Sequence, residues 1–147
     1  MAASITDVAW ELGTERARNE PSFVASDLLH RLDEMTAPEL DALPFGAIRL
    51  DDVGVVVSYN RRESEIAGLD PADVIGKHFF KQIAPCTNNE MFRGPFDRGI
   101  HERRMDLLFD FTFTYRLDPT EVRIHLHRSG NSNWILVQPL GELRGVT

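Results

Sequence analysis

Phe45-Gly46-Ala47-Ile48-Arg49-Leu50-Asp51-Asp52-Val53-Gly54-Val55-Val56-Val57-Ser58-Tyr59 holds two β-rich runs about a glycine-bearing turn, the pattern of a hairpin. A second pattern of this kind closes the chain. Phe109, Phe111, Phe113 and Tyr115 recur at period 2, and Val122, Ile124 and Leu126 alternate with Arg123, His125 and His127. Ser129-Gly130-Asn131-Ser132-Asn133 then turns the chain into Trp134–Val137. Such alternation sends successive side chains to opposite sheet faces. Helical signals lie between the two β regions. Asn60-Arg61-Arg62-Glu63 reads as an N-cap with glutamate three residues on, and Gly68 as a stop. Asp70-Pro71-Ala72-Asp73 begins a short helix that Gly76 ends, Phe79–Asn89 is loop-rich, and Gly94-Pro95 opens a helix with Phe96 and Ile100 on one face. The order β-β-α-α-α-β-β-β predicts an α+β domain, an antiparallel sheet with helices on one face.

Upstream, the texture is of short helices. Ile5, Val8 and Leu12 stand at helical spacing between Ser4 and Gly13, and Val24, Leu28, Leu32 and Met35 form a stripe. Thr36-Ala37-Pro38-Glu39 is a capping box with proline early in the helix. Helices this short are marginal alone and need an apolar surface to dock on. Residues 1–42 are therefore expected to form an N-terminal helical cap on a core of 43–140, with 141–147 as a tail. The cap carries three arginines against nine acidic residues, a net −6, and leaves −1 for the remaining 105 positions.

The 147 residues suit one domain, and 42% hydrophobic against 27% charged content excludes a wholly disordered chain. A formal charge of −7 disfavours nucleic-acid phosphate as a partner. No apolar run approaches the roughly 18 residues that cross a bilayer, and no basic segment precedes an apolar one at the N-terminus, so a cytoplasmic protein without membrane contact is expected. A single cysteine excludes an internal disulfide and a multi-cysteine zinc site. His125 and His127 share a strand face, which reads as a solvated sheet surface, and no metal site is expected. There is no P-loop or dinucleotide fingerprint, and the chain is read as a non-enzyme.

Cys86 lies in the proline-broken stretch Ile83-Ala84-Pro85-Cys86-Thr87-Asn88-Asn89. A lone free cysteine ordinarily serves as a small buried hydrophobe. A reactive one needs its thiolate stabilised, and the turn that follows has backbone N–H groups to offer. Tyr59 ends a strand and Glu63 follows four positions later, so both can face one point. By themselves they read as a strand-end aromatic and a capping-box acid.

Gly76-Lys77-His78-Phe79-Phe80-Lys81-Gln82-Ile83-Ala84-Pro85-Cys86-Thr87 resembles the segment around the chromophore-bearing cysteine of photoactive yellow proteins. Phe45-Gly46-Ala47-Ile48 and Tyr59-Asn60 resemble that family's first hairpin. The Phe109–Tyr115 strand, Pro119-Thr120 and Trp134 follow in its order, so the likeness spans about Leu43 to Val137 and implies a PAS-type sensor fold. It further implies a blue-light receptor with 4-hydroxycinnamic acid (p-coumaric acid) held as a thioester on Cys86. Tyr59 and Glu63 match the residues that hydrogen-bond the phenolate oxygen, and Ile48, Phe79, Ala84, Pro85 and Phe113 match positions around the ring and tail. Tyr115 and Leu117 match positions against the chromophore loop.

A phenol titrates near 10, so a phenolate at neutral pH needs donors aimed at its oxygen, and Glu63 donates only if burial keeps it protonated. Isomerisation would remove the phenolate from those donors, and an ionised Glu63 left unpaired would favour rearrangement, with the cap the cheapest part to release. Two departures stand out. Ala67 and Leu69 replace a threonine and an arginine of the family's best-known members, which implies a less firmly held phenolate. The partner implied is a downstream signalling protein that the sequence does not identify, and the chain is expected to be a monomer or weak homodimer. A PAS interaction module without a chromophore is the alternative reading.

Overall fold

The computed structural model describes residues 23–114 and 119–140. Five strands, β1 (Gly46–Leu50), β2 (Val56–Tyr59), β3 (Asp106–Phe113), β4 (Thr120–Ser129) and β5 (Ser132–Pro139), form one antiparallel sheet in the order β2-β1-β5-β4-β3. The last strand in sequence is therefore the middle strand in space. Ile48 stands opposite Tyr59 on one side and Ile135 on the other, which joins the two β regions into one sheet. Gly54 holds the first turn with φ 98°, and Asp51 Oδ1 accepts from the N–H groups of Val53 and Val55.

Both faces of the sheet are covered. On one face Ile48, Tyr59, Phe79, Phe80, Phe92, Phe113, Ile124, Leu126, Ile135 and Val137 belong to the larger core cluster. Its lid comprises α3 (Arg61–Ala67), a π-helical turn (Phe79–Ile83), a 3-10 turn (Pro85–Thr87) and α4 (Arg93–Glu102). Phe92 meets Phe109 and Phe111 edge-on at ring-centroid distances of 5.4 and 5.1 Å, a favoured aromatic geometry. The loop-rich reading of Phe79–Asn89 thus gives way to two tight helical turns. On the other face Val24, Leu29, Leu32, Leu40, Phe45, Ala47, Trp134 and Leu136 make a second core. Here α1 (Ser26–Leu29), a 3-10 turn (Leu32–Glu34) and α2 (Ala37–Asp41) lie against the sheet. The stripe over Val24–Met35 is split between two short pieces, and Leu29 is buried more deeply than the half-buried Leu28. The expected helix around Ile5–Leu12, together with Tyr115, Leu117 and the tail 141–147, lies outside the described residues.

The solvated-face reading of β4 is overturned. His125 and His127 pair with Leu136 and Trp134, on the face that carries the second core. His125 is 4% exposed and His127 is half-buried.

Asn60 fastens the two layers together. Its Oδ1 accepts from the N–H of Ala47 (2.9 Å) and of Glu63 (3.0 Å), and its Nδ2 donates to the carbonyls of Leu40 (2.8 Å) and Phe45 (3.1 Å). Arg61 N–H donates to Asp41 Oδ1 at 2.8 Å, so α2 also helps cap α3. An Asn60→Ala substitution would strip buried backbone groups of their partners, each worth about 1–3 kcal/mol when left unpaired. We expect it to lower the urea midpoint by the equivalent of about 3 kcal/mol or more, with little change in the slope of the transition.

Candidate functional site

Glu63 stands in the first turn of α3, three residues after its cap. The same spacing at Thr36 and Glu39 makes a full capping box: Glu39 N–H donates to Thr36 Oγ1, and Thr36 N–H donates to Glu39 Oε1 at 2.8 Å. That bond from the Thr36 backbone holds the Glu39 carboxyl below its usual range. At α3 the box is half made. Asn60 accepts from Glu63 N–H, but Asn60 N–H donates to the Ala47 carbonyl at 3.1 Å instead of to Glu63. The Glu63 side chain turns inward and is 1% exposed, and its Oε1 is buried without a hydrogen-bond partner among the described residues.

The capping-acid reading of Glu63 is thereby corrected. Burial pushes its carboxyl up to about 8, against a smaller opposing effect of the Arg62 charge. At neutral pH it is mostly protonated, hence a hydrogen-bond donor. Gly46 makes this placement fit: a Cβ there would collide with Glu63 Oε1 and stand 3.1 Å from Glu63 Cβ. A glycine on β1 therefore makes room for a carboxylic acid on α3. Sequence reasoning used Gly46 only within the first hairpin and its family likeness, and Asn60 only as a cap and in that same likeness.

The other expected site residues converge on the same layer. Ile48, Tyr59, Phe79, Ala84 and Phe113 are buried in the larger core cluster, and half-buried Cys86 packs against it. Pro85 is exposed. Ala67 is buried in the cluster, with Leu69 half-buried against it. Cys86 lies inside the Pro85–Thr87 turn, where Asn89 Nδ2 donates to its carbonyl at 3.0 Å and Thr87 Oγ1 donates to the Ala84 carbonyl at 2.7 Å. The N–H groups of Thr87, Asn88 and Asn89 donate to the carbonyls of Ala84, Pro85 and Thr87. They are committed to shaping the turn, contrary to the expectation that they serve the sulfur.

Chemically, this layer combines a thiol at its margin with a phenol and a neutral carboxylic acid in its interior. A phenol and a neutral carboxylic acid are groups that can donate to an anionic oxygen. The orphaned Glu63 Oε1 is the kind of buried polar atom such an oxygen would satisfy.

Residues 35–138 match the PAS fold family, so this is a PAS domain. The chain is 42% identical over 118 residues to a photoactive yellow protein of Rhodothalassium salexigens, covering 79% of this chain and 94% of that one. It is 39% identical over 120 residues to a photoactive yellow protein of Halochromatium salexigens, covering 80% and 96%. The crystal structure of the photoactive yellow protein domain from the sensor histidine kinase Ppr from Rhodospirillum centenum superposes with a TM-score of 0.72 at 41% identity, covering 75% of this chain and 98% of that domain. The chain belongs to the photoactive yellow protein family and is a sensory domain of the photoreceptor type. Among the described residues no helix is long and apolar enough to cross a membrane.

The raised Glu63 carboxyl has a thermodynamic consequence. The folded apoprotein keeps a proton that the unfolded chain releases near 4.5, so stability is full below that pH and falls as pH rises toward about 8. Denaturation of the apoprotein across this window should show a loss of a few kcal/mol, and Glu63→Gln should flatten the profile. An unchanged slope in that variant would place the raised carboxyl elsewhere.

Proposed function

We propose that this protein is a blue-light photoreceptor in which Cys86 carries 4-hydroxycinnamic acid as a thioester and Tyr59 and Glu63 hold the phenolate oxygen. The observation that carries this reading is Glu63: buried, mostly protonated at neutral pH, with an oxygen that finds no partner among the described residues. A capping glutamate that were only structural would do as Glu39 does and turn back to its own N-cap. The bound group would supply visible absorption and a light-driven change of shape.

The remaining chemistry belongs to the chain. Ile48, Phe79, Ala84 and Phe113 exclude water, which strengthens each hydrogen bond in the layer. Glu63 holds a proton on its carboxyl and is the internal source of one. Once that proton leaves, a carboxylate remains in an apolar core, an arrangement that costs several kcal/mol unless the structure opens. Loosening α3 relieves it. Because Asn60 caps α3 and binds the Leu40 carbonyl of α2, such loosening passes to the N-terminal helices. Those helices are the proposed signalling element, and a downstream signalling protein is the proposed partner.

Mixing the purified apoprotein with thiol-reactive, activated 4-hydroxycinnamic acid should give a yellow, photobleachable 1:1 adduct, absent in Cys86→Ala. A colourless, unmodified protein would instead favour a PAS module that acts without a chromophore. Ala67 offers Tyr59 no side-chain hydroxyl and Leu69 brings no charge, so the phenolate is held less firmly than with threonine and arginine there. The dark spectrum should accordingly show two bands near neutral pH whose ratio shifts between mildly acidic and mildly basic buffer, and Ala67→Thr should enlarge the longer-wavelength one. A single band insensitive to pH would contradict this.

A further inference from the structure

Away from the Cys86–Glu63 layer, the sheet brings three metal-ligating side chains together. Asp106 on β3 stands directly opposite His127 on β4, and His125 lies two residues from His127 on the same strand. Directly paired residues share a face, as do residues two apart, so backbone register alone groups these three. Each offers one donor atom, and the three atoms lie within 4.8 Å of one another. His125 Nε2 is 2.6 Å from Asp106 Oδ1, and the two imidazole centroids are 6.0 Å apart. His127 Nδ1 is buried and has no hydrogen-bond partner among the described residues.

We propose that Asp106, His125 and His127 form a binding site for a late first-row divalent cation, Zn²⁺ or its close analogues, at the margin of the N-terminal helices. Two imidazoles and one carboxylate are ligands of this class, and three protein ligands leave one position for water. Bonds of about 2.0–2.2 Å to such an ion hold tetrahedral ligand atoms roughly 3–4 Å apart, and the three atoms here already lie within 4.8 Å of one another. The Asp106 side chain is 71% exposed and the His125 side chain 5% exposed, so an ion has an entry side and a buried wall.

Asp106 and Asp33 favour a cation at His127, whereas burial and any charge on His125 or His30 oppose it. Asp33 of the N-terminal 3-10 turn acts on His127 electrostatically and accepts from Trp134 Nε1 at 2.8 Å. His30 is also close enough to act on His127, and it opposes the cation only while protonated. Bound there, the ion would tie β3 to β4 beside the point where the N-terminal segment meets the sheet. This site does not depend on the photoreceptor reading.

The test uses the full chain without a purification tag of histidines. Equilibrium dialysis against Zn²⁺ should give one bound equivalent, and Co²⁺ should give visible bands of tetrahedral coordination with imidazole ligands. His127→Gln and Asp106→Asn, each checked for native circular dichroism, should weaken binding by more than the about 10- to 100-fold that loss of an outer-shell partner costs. His101→Gln, which alters an exposed histidine on α4, should leave it unchanged. Zn²⁺ should raise the thermal midpoint of the parent and not of His127→Gln. Absence of uptake by the parent, or equal uptake by His127→Gln and Asp106→Asn, would overturn the proposal.

Discussion

A carboxyl group in a protein interior must find a partner or stay neutral, and Glu63 stays neutral. Its burial is what the rest of this layer is arranged around. Asn60 takes over the capping of α3, the Ala47 carbonyl accepts the Asn60 N–H that a capping box would have used, and Gly46 gives up its side chain to make room. Each accommodation is local and cheap. Together they leave Glu63 Oε1 buried without a hydrogen-bond partner among the described residues, and natural proteins rarely tolerate such a group without a reason.

The second constraint is a sheet buried on both faces. Along β5, Ile135 and Val137 enter the larger core, while Trp134 and Leu136 enter the core beneath the N-terminal helices. That strand is central, so its apolar run has no polar alternation to show. The consequence reaches β4, where the register places His125 and His127 beside those N-terminal-face residues. Polar side chains there are desolvated by neighbours contributed from a distant part of the chain. Burial lowers the His127 imidazole below its ordinary value, and the neighbouring His125 adds to this.

Much of the fold was legible because its signals are local. The Gly54 turn, the Thr36–Glu39 box, the Gly68 stop and the period-2 strands each depend on a few adjacent residues, and each is present. Cys86, Tyr59, Glu63, Ile48, Phe79, Ala84 and Phe113 were readable as a group only through a family resemblance, since no spacing rule joins residues spread from 48 to 113. What stayed hidden was set by long-range contacts. Asn60 and Thr36 look alike as caps, yet only Asn60 has Ala47 at hand to take its N–H. His125 and His127 alternate with Ile124 and Leu126, which from sequence means an outer face. The run Trp134–Val137 held the contrary clue, since four consecutive apolar residues in a strand imply cover on both sides.

Among the described residues, hydrogen bonds tie the N-terminal helices to the rest of the domain at both ends, beside the apolar packing of the second core. At one end Leu40 and Asp41 are bound to Asn60 and Arg61, the start of the helix that carries Glu63. At the other end Asp33 is bound to the Trp134 indole on β5, a strand that carries none of the proposed light-sensing side chains. Strain generated at Glu63 in the proposed cycle reaches the first attachment directly and the second only through the sheet. In that proposed cycle release would be graded, with α2 parting from α3 while the Asp33–Trp134 contact still held, so that the segment would hinge before it detached. In the proposed cycle the cost of one buried charge would be set against a small number of hydrogen bonds, a balance that suits a reversible switch.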